Sequence, residues 1–379
     1  MIKEKYYNLY RVKIITNLLA YLLLIVVVGG LLVFGFPALK NKLFYSSKLV
    51  PKEVFALNDQ INSSSPEDVT QNRVYLLKQM DDFAKGSVSG NGFSSEIYFL
   101  IKARLDQALK EIPITKVPKG KVKIWYIYNM GIIAKSEDKT IAFDLAGTYV
   151  YSNLADFTKY IDILVVTHPH NDHFDLDVVK EALKNGVTVI IPGDKVLFTN
   201  NQIIRNSNGE DLVSLIKKRQ RINSDNFISL KPQEKTIVKG VEITAYPANH
   251  RQGAISEINN GGALLPINWY LVKLSGLTLL HTGDADRFDY QTSFASKNVD
   301  VFMTDNVDPR TNEGLINLVP NAKTILPLHV LELNHGPDIV NSNSMDYRNI
   351  LDDYSNGYFK PSNRKIRFIP MIWGESLFF

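Results

Sequence analysis

The chain has 379 residues, of which 45% are hydrophobic, and its 43 Lys and Arg against 39 Asp and Glu give a formal net charge of +4. This length suffices for one large domain with an appendage, and the mild, interspersed basic excess lacks the Lys/Arg stripe of a nucleic-acid-binding protein. The chain contains no cysteine, which excludes disulfides and thiolate metal sites and leaves the cellular compartment open.

The first predicted element is a membrane-spanning helix between Ile14 and Phe36, a run without a charged residue. As a helix it would extend about 34 Å, enough to cross a hydrocarbon core of about 30 Å. A cleaved signal peptide has a shorter apolar core and a small-residue cleavage site, which the following FPALKNK does not provide. A buried core helix would carry a polar stripe. We therefore predict that residues 1–37 form a cytoplasmic tail and an uncleaved anchor.

Basic residues flank this span on both sides, so the positive-inside rule does not fix its orientation. The short N-terminal tail is typical of a signal anchor, which favours a catalytic part outside the cytoplasm. The densest basic run, KKRQR at Lys217 to Arg221, is interpreted as the solvated face of a short helix in preference to a site for anionic lipid headgroups.

Residues 38–120 carry helical signals and no cluster of metal-ligating residue types. Ser65 followed by Pro66 and two acids is a helix start, and apolar residues then recur at helical spacing as far as Gly86. Ser95 begins a second helical pattern. We predict a helical hairpin that packs on the catalytic domain or on the membrane surface and serves for spacing and positioning.

Strand signals dominate residues 121–379. Short apolar or alternating runs are separated by helical stretches such as Asp175 to Lys184 and Glu210 to Arg221. The runs are VKIWYIY, TIAFDLA, DILVVT, TVIIP, VEITAY, WYLVKL, LTLLHT, DVFMTD and TILPL. Many strands with interleaved helices predict an α/β domain of two sheets packed face to face with helices outside.

The apolar strand that ends at Thr167 runs into the densest chemistry of the chain, ILVVTHPHNDHFD. Three of the seven histidines and one carboxylate follow the strand: His168, His170, Asp172 and His173. Imidazole and carboxylate are ligands that zinc prefers. The spacing suits two neighbouring ions, because residues two apart on an extended loop can point to the same side. A merely polar surface loop is the alternative.

The other histidines repeat the pattern of an apolar strand with His or Asp at its C-terminal end. His250 closes VEITAYPANH, and His281 and Asp284 lie in LTLLHTGDAD. His329 ends TILPLHV, and His335 is its rival six residues later. Such strand ends can converge at one edge of a sheet, and two ions need about six protein ligands with a bridging group. We therefore predict two divalent metal ions, with Zn2+ as the expected metal.

By these motifs, and by H-x-H-x-D-H above all, the stretch from Lys121 to Glu375 resembles the metallo-β-lactamase fold superfamily. The resemblance implies a four-layer αβ/βα sandwich over residues 121–379. It also implies a set of ligands: His168, His170 and His250 for the first ion, Asp172, His173 and His329 for the second, and Asp284 as the bridge. Asp144, in TIAFDLAG, matches the strand-end aspartate that orients the ligand loop without binding metal.

Differences from the superfamily pattern exclude some of its branches for this chain. The absence of cysteine excludes β-lactamases with a thiolate ligand, and His170 in place of glutamate argues against the di-iron flavoproteins. A bridging carboxylate such as Asp284 is typical of the phosphodiesterase, lactonase and thioester-hydrolase branches. The HTGD and PLH segments are most similar to those of ascorbate-phosphate lactonase-like enzymes and of N-acylphosphatidylethanolamine phospholipase D.

The resemblance implies a hydrolase in which a metal-bridging hydroxide cleaves a phosphodiester, ester or lactone bond, and the predicted anchor would make this hydrolase membrane-bound. Asp172 is expected to be catalytic as well as a ligand. The proton donor to the leaving group stays open among His281, Tyr246 and His335. His281 is expected near the site because it is three residues from Asp284, either as that donor or as a hydrogen-bonded neighbour.

Substrate contacts are expected from the segment Arg251 to Asn268, which contains glycine and apolar residues and directly follows His250. It is a candidate flap for an acyl chain or lipid, and Arg251 is a candidate phosphate contact; the alternative is an ordinary connecting loop. The expected partners are a small-molecule or lipid substrate and the membrane, through residues 14–36. The second class of function is a metal-bearing module that binds or senses a ligand without turnover.

Overall fold

The helices of the protein lie mainly in its N-terminal third and between the strands. A computed structural model describes residues 52–67, 70–89, 92–199, 202–249, 266–284, 287–288, 294, 296–305, 319–333, 347–355 and 366–379, and Pro51–Phe379 forms one unit. Over the described residues the helices are α1 (Lys52–Ser63), α2 (Gln71–Gly86), α3 (Ser95–Ile114), α4 (Leu176–Lys184), α5 (Leu212–Gln220) and α6 (Tyr347–Ser355), with a 3-10 helix at Leu154–Tyr160.

The strands in the described part of the chain all follow α3, except the first two. They are β1 (Val88–Ser89), β2 (Gly92–Phe93), β3 (Lys123–Tyr128), β4 (Gly131–Lys135), β5 (Thr140–Phe143), β6 (Ile163–Val165), β7 (Thr188–Pro192), β8 (Lys195–Thr199), β9 (Gln202–Arg205), β10 (Glu210–Asp211), β11 (Phe227–Leu230), β12 (Lys235–Val238), β13 (Val241–Asn249), β14 (Asn268–Leu274), β15 (Leu277–His281), β16 (Arg287–Phe288), β17 (Val299–Asp305), β18 (Ala322–Leu328), β19 (Arg367–Phe368) and β20 (Ser376–Phe378).

The first large sheet has the strand order β11-β7-β6-β5-β4-β3-β20. Its strands β20, β3, β4 and β5 pair antiparallel, whereas β5, β6, β7 and β11 pair parallel. β7 is buried along its whole length, as is typical of a parallel strand covered on both faces. The parallel strands end at one edge, where Asp144 follows β5 and the loop with His168 follows β6.

The second large sheet repeats this layout, with the order β12-β13-β14-β15-β17-β18-β19 and β16 paired to β13. Strands β12 to β15 pair antiparallel, and β15, β17, β18 and β19 pair parallel. Asp284 lies in the turn after β15, Asp305 ends β17, and His329 directly follows β18. Because neighbouring parallel strands end at the same edge, acids and a histidine gather there too.

The two sheets meet at these edges. The ring of His281 on β15 stacks on Phe143 of β5, with centroids 5.0 Å apart and planes within 4°. The N–H of Asn268 on β14 donates to the carbonyl of Thr167 after β6, at 3.1 Å. The strands of both sheets carry fully buried aromatic side chains, among them Trp125 and Trp269. The prediction of an α/β sandwich is confirmed, and the mixed parallel and antiparallel pairing of its two large sheets is a feature that the sequence did not predict.

The helices before the sheets contact the C-terminal end of the same unit. Arg73 of α2 forms a buried ion pair with Glu375 at 2.6 Å and donates to the carbonyl of Pro370 at 2.8 Å. Arg104 of α3 is buried and donates to the carbonyl of Trp373 at 3.0 Å. Residues 52–114 are therefore tied by buried hydrogen bonds to the chain that follows the second sheet.

The helix predicted to begin at Ser65 begins instead at Gln71, and the prediction of its start is wrong. Ser65 Oγ accepts the N–H of Glu67 at 3.3 Å in a local turn, which competes with helix formation. Thr70 caps α2 by accepting the N–H of Arg73 at 3.3 Å. The earlier helix α1 was not predicted, so three helices rather than a hairpin precede the sheets in the part of the chain described.

Among the helices of residues 52–379 that the structure describes, none is both long and apolar enough to cross a membrane. The run Ile14 to Phe36, on which the predicted anchor rests, lies outside the described residues.

Candidate metal centre

Asp144 joins the ends of two parallel strands. It follows β5 with φ +43°, a left-handed conformation that aspartate tolerates better than most residues. Its buried carboxylate accepts the Thr167 N–H at 2.7 Å and the Thr167 hydroxyl at 2.6 Å. Thr167 is the first residue of the loop that carries His168, His170, Asp172 and His173, here called the histidine loop. This loop is therefore fixed at its start to the end of β5.

His173 lies at the centre of the site and is fully buried. Its Nδ1 is 2.8 Å from Oδ2 of Asp144, and its Nε2 is 2.9 Å from Oδ2 of Asp284. The same Nε2 lies 3.0 Å from Oδ2 of Asp172. An Nδ1–H that donates to Asp144 leaves Nε2 to face the two other carboxylates.

Two groups of three possible ligands share Asp284. His168, His173 and Asp284 form one group, and Asp172, Asp284 and His329 form the other. In each group, one ligand atom per residue lies within 4.8 Å of the other two. His170 adjoins the first group, because its Nδ1 is 3.0 Å from Nε2 of His168.

This grouping differs from the predicted assignment in the place of His173. The resemblance assigns His173 to the ion held by Asp172 and His329, whereas the described atoms group it with His168. Its contact with Asp172 at 3.0 Å puts it within reach of both groups. The ligand predicted to complete the first group, His250, lies outside the described residues.

His329 has φ +61° and lies between two acids that the sequence did not single out. Its Nδ1 is 3.3 Å from Oδ1 of Asp305, and its Nε2 is 2.9 Å from Oε2 of Glu332. Asp305 could have been found, because it ends the strand DVFMTD as the other ligand types end theirs. Glu332 lies in a loop with no such signal, and its burial is visible only in the fold.

The carboxylates of the site favour positive charge at its centre. Burial alone would lower the pKa of His173, but Asp172, Asp284 and Asp144 raise that pKa well above its ordinary value. Burial would likewise lower the pKa of His329, but Asp284 and Asp305 raise it. Burial would raise the pKa of Asp284, yet His173 and His329 hold it well below its usual range. The same carboxylates would stabilise a metal cation in place of these protons.

The residues fit a divalent ion. Oδ1 of Asp284 is buried and has no hydrogen-bond partner among the described residues, and such an acceptor costs free energy unless a donor or a cation satisfies it. Imidazole nitrogen and carboxylate oxygen are also the donors expected around zinc. Asp284 therefore has one oxygen directed to His173 and a second one that is left for a ligand.

Two of the residues considered as proton donors, His281 and Tyr246, lie in buried surroundings. His281 is fully buried, its Nε2 lies 3.0 Å from the Met130 carbonyl, and its Nδ1 accepts the Gly283 N–H at 3.3 Å. Burial lowers its pKa. A neutral imidazole with both nitrogens bonded to the main chain does not fit a proton donor, which favours the alternative of a hydrogen-bonded neighbour. Tyr246 is buried against Phe294, with ring centroids 4.6 Å apart.

The two remaining candidates, Arg251 and His335, lie outside the described residues. So does most of the predicted flap, Arg251 to Asn268, of which only residues 266–268 are described.

A family model described as the beta-lactamase superfamily domain matches residues 124–331. A probable L-ascorbate-6-phosphate lactonase of Salmonella heidelberg is 24% identical over 190 residues, which cover 45% of this chain and 49% of that protein. The Escherichia coli protein of the same name is 25% identical over 190 residues, with the same coverage of 45% and 49%. The chain thus spans about half the length of the curated relatives it matches.

Among solved structures, a metallo hydrolase from the hyperthermophilic archaeon Ignicoccus hospitalis aligns with a TM-score of 0.46 and 17% identity, over 68% of this chain and 98% of that one. The family model, by contrast, covers more than half of the chain and includes the whole histidine loop, Asp284 and His329. The predicted resemblance is confirmed: the chain belongs to the β-lactamase superfamily.

Proposed function

We propose that the protein is a metal-dependent hydrolase that uses two divalent ions, Zn2+ by preference, to cleave an ester, lactone or phosphodiester bond. The observation that carries this proposal is the meeting of two ligand groups at one shared carboxylate, Asp284. A shared carboxylate can bridge two neighbouring ions, and two-ion sites clamp both the attacking and the leaving oxygen of a substrate.

In this proposal His168, His170 and His250 hold the first ion, and Asp172, His173 and His329 hold the second, with Asp284 common to both. The family resemblance and the 3.0 Å contact of His173 Nε2 with Asp172 Oδ2 support placing His173 at the second ion, although the same ring also lies near the atoms of the first group. When bound, such ions make hydroxide available near neutral pH and stabilise the negative charge that develops on the substrate. Asp144 orients the His173 ring through Nδ1. Burial of His168 and His173 keeps bulk water from their ring nitrogens, which strengthens electrostatic interactions at the reacting centre.

For the substrate, we propose an ester or lactone first and a phosphodiester second. The name of the curated relatives, probable L-ascorbate-6-phosphate lactonases, supports this order. Their similarity extends over about half of either chain, so their name supports the class of bond and not the individual substrate. Arg251 and His335 are the proposed substrate contacts, and the segment that begins at Arg251 is the proposed apolar flap.

We further propose that a transmembrane helix at residues 14–36 precedes the four-layer αβ/βα domain and holds it at a membrane, on the extracytoplasmic side. The uncharged run from Ile14 to Phe36 supports the anchor, and the shortness of the tail before it, as in a signal anchor, supports the side. A lipid ester then becomes a natural member of the substrate panel, because the anchor would keep the domain close to the lipid surface.

The test uses the full chain in detergent, loaded with zinc, with metal analysis and an assay on bis-p-nitrophenyl phosphate and a panel of lactones. We expect about two ions per chain and turnover of at least one substrate. Asp284→Ala should lose at least one ion and nearly all turnover. The matched control is Asp300→Ala. Asp300 lies near the start of β17, at the end of that strand opposite Asp305, and its carboxylate accepts the Thr278 N–H. This variant should keep both the ions and the turnover.

The last ligand is tested in the same way. His329→Ala should lose an ion and His335→Ala should not; the opposite result would assign the ligand to His335. A chain that takes up no metal would end the proposal. Two bound ions without turnover of any substrate in the panel would favour the second class of function, a metal-bearing module that binds a ligand.

A further inference from the structure

The turn between β3 and β4 contacts three segments that carry residues of the candidate metal centre. The side-chain amide of Asn129 donates to Oδ2 of Asp172 at 3.0 Å, in the loop after β6. The carbonyl of Asn129 accepts the N–H of His329 at 3.1 Å, after β18. The carbonyl of Met130, the next residue, accepts from Nε2 of His281 on β15 at 3.0 Å. One short turn therefore joins both large sheets at the site.

Asn129 holds two residues of the site by separate groups, one in its side chain and one in its main chain. It is fully buried and has φ +52°, a conformation in which asparagine is enriched among residues with side chains. Its Nδ2 is a donor only, so it can hold Asp172 as a carboxylate without competing for the position of a cation. Its main chain holds His329 independently of the side chain.

We infer that Asn129 is a positioning residue for the second ion, through Asp172 by its side chain and His329 by its main chain. The inference rests on the proposed function, in which these two residues hold the same ion. Residues that orient metal ligands through hydrogen bonds typically contribute a factor of about 10–100 in metal affinity. Both contacts of Asn129 therefore act on the second ion, and the first ion should be affected much less.

Asn129→Gly separates the two contacts. Glycine adopts φ near +52° without strain and keeps the carbonyl that accepts from His329, but it removes the donor to Asp172. The matched control is Ser275→Gly. Ser275 has φ +51° and is also the first residue of a two-residue turn between paired strands, β14 and β15. That turn lies at the opposite end of β15 from His281.

The experiment is a Co2+ and Zn2+ titration of the metal-free full chain, with the two dissociation constants measured separately. In Asn129→Gly we expect binding of one ion to weaken by about 10–100-fold with the other ion unchanged, and recovery of turnover at raised zinc concentration. Ser275→Gly should match the wild type. The ion that stays bound shows that the variant is folded. A purely structural role of Asn129 would not preserve the binding of one ion and weaken the other.

Unchanged binding of both ions in Asn129→Gly, or loss of both together, would overturn the inference while the proposed function stands. A wild-type chain that binds fewer than two ions would overturn both. These two kinds of failure are distinguished by the wild-type titration alone.

Discussion

Asp144 and His173 form a hydrogen bond of 2.8 Å between Oδ2 and Nδ1, wholly inside the protein. The opposite nitrogen of the same ring is 2.9 Å from Asp284. One imidazole thus connects the end of β5 in the first sheet with the turn after β15 in the second. This connection determines which nitrogen of His173 is available as a ligand.

Asp144→Asn should weaken metal binding by about 10–100-fold. An amide cannot accept from the Thr167 N–H, the Thr167 hydroxyl and His173 Nδ1 all at once, so the loop and the ring lose their fixed orientation. Metal dissociation constants measure the effect. Asp162→Asn is the control, because Asp162 accepts the Thr140 N–H at 2.9 Å at the other end of β5. Equal affinity in both variants would contradict the role of Asp144.

His281→Phe should lower the free energy of unfolding without changing the pH dependence of the remaining turnover. Phenylalanine keeps the stack on Phe143 but leaves the buried Met130 carbonyl and Gly283 N–H without partners, at a cost of about 1–3 kcal/mol each. Urea unfolding and a pH–rate profile are the measurements. Disappearance of the basic limb of that profile would identify His281 as the proton donor and contradict this prediction.

Metal affinity should rise with pH. Nearby carboxylates raise the pKa values of His173 and His329 well above their ordinary value, against the effect of burial. Without metal, both rings therefore hold a proton at neutral pH, and an ion must displace it. Apparent affinity should grow by about tenfold per pH unit for each displaced proton. Zinc competition titrations at several pH values, with proton release measured, would detect it. Affinity independent of pH would contradict the raised pKa values of the two rings.

Glu375→Ala should lower the free energy of unfolding by about 3–5 kcal/mol, because it leaves Arg73 charged and unpaired in the interior. The two side chains are only 1% and 4% exposed. The double variant Arg73→Met, Glu375→Leu should recover most of the loss, since well-packed apolar residues can replace a buried pair. Urea unfolding of the wild type and of both variants is the measurement.

The ion pair Arg367–Glu67 provides the matched control. It has the same 2.6 Å distance, but its side chains are 49% and 45% exposed. Glu67→Ala should therefore cost no more than about 1 kcal/mol. If Glu375→Ala were as mild as Glu67→Ala, the helices of residues 52–114 would contribute little to the stability of the unit.

The candidate metal-ligand loop could be predicted because its chemistry is local. Three histidines and an aspartate directly follow an apolar strand, and imidazole and carboxylate groups at such close spacing are typical of a metal site. The recurrence of strand-end His and Asp then predicted Asp284 and His329, because parallel strands of a sheet end together. The strand patterns predicted the two-sheet sandwich but not the mixed pairing, and strands that include β4, β8 to β10, β11 and β12 were missed.

The partners of the ligands could not be predicted, because they come from distant parts of the chain. Asn129 is 43 residues from Asp172, and only the pairing of β3 with β4 brings its turn to the site. Glu332 is near His329 in sequence, but nothing in LELNHG distinguishes a buried glutamate from a solvated one. The false helix start at Ser65 has a local cause instead, because the Ser65 hydroxyl caps a turn and not the helix.

The residues that would hold the second ion come from both large sheets, with Asp172 from the first and His329 from the second. An ion that binds only to the folded arrangement adds its binding free energy to the free energy that already opposes separation of the two sheets. Zinc should therefore slow hydrogen exchange at the His329 amide, whose N–H spans the two sheets to Asn129. The cation would then contribute to the cohesion of the protein as well as to its chemistry.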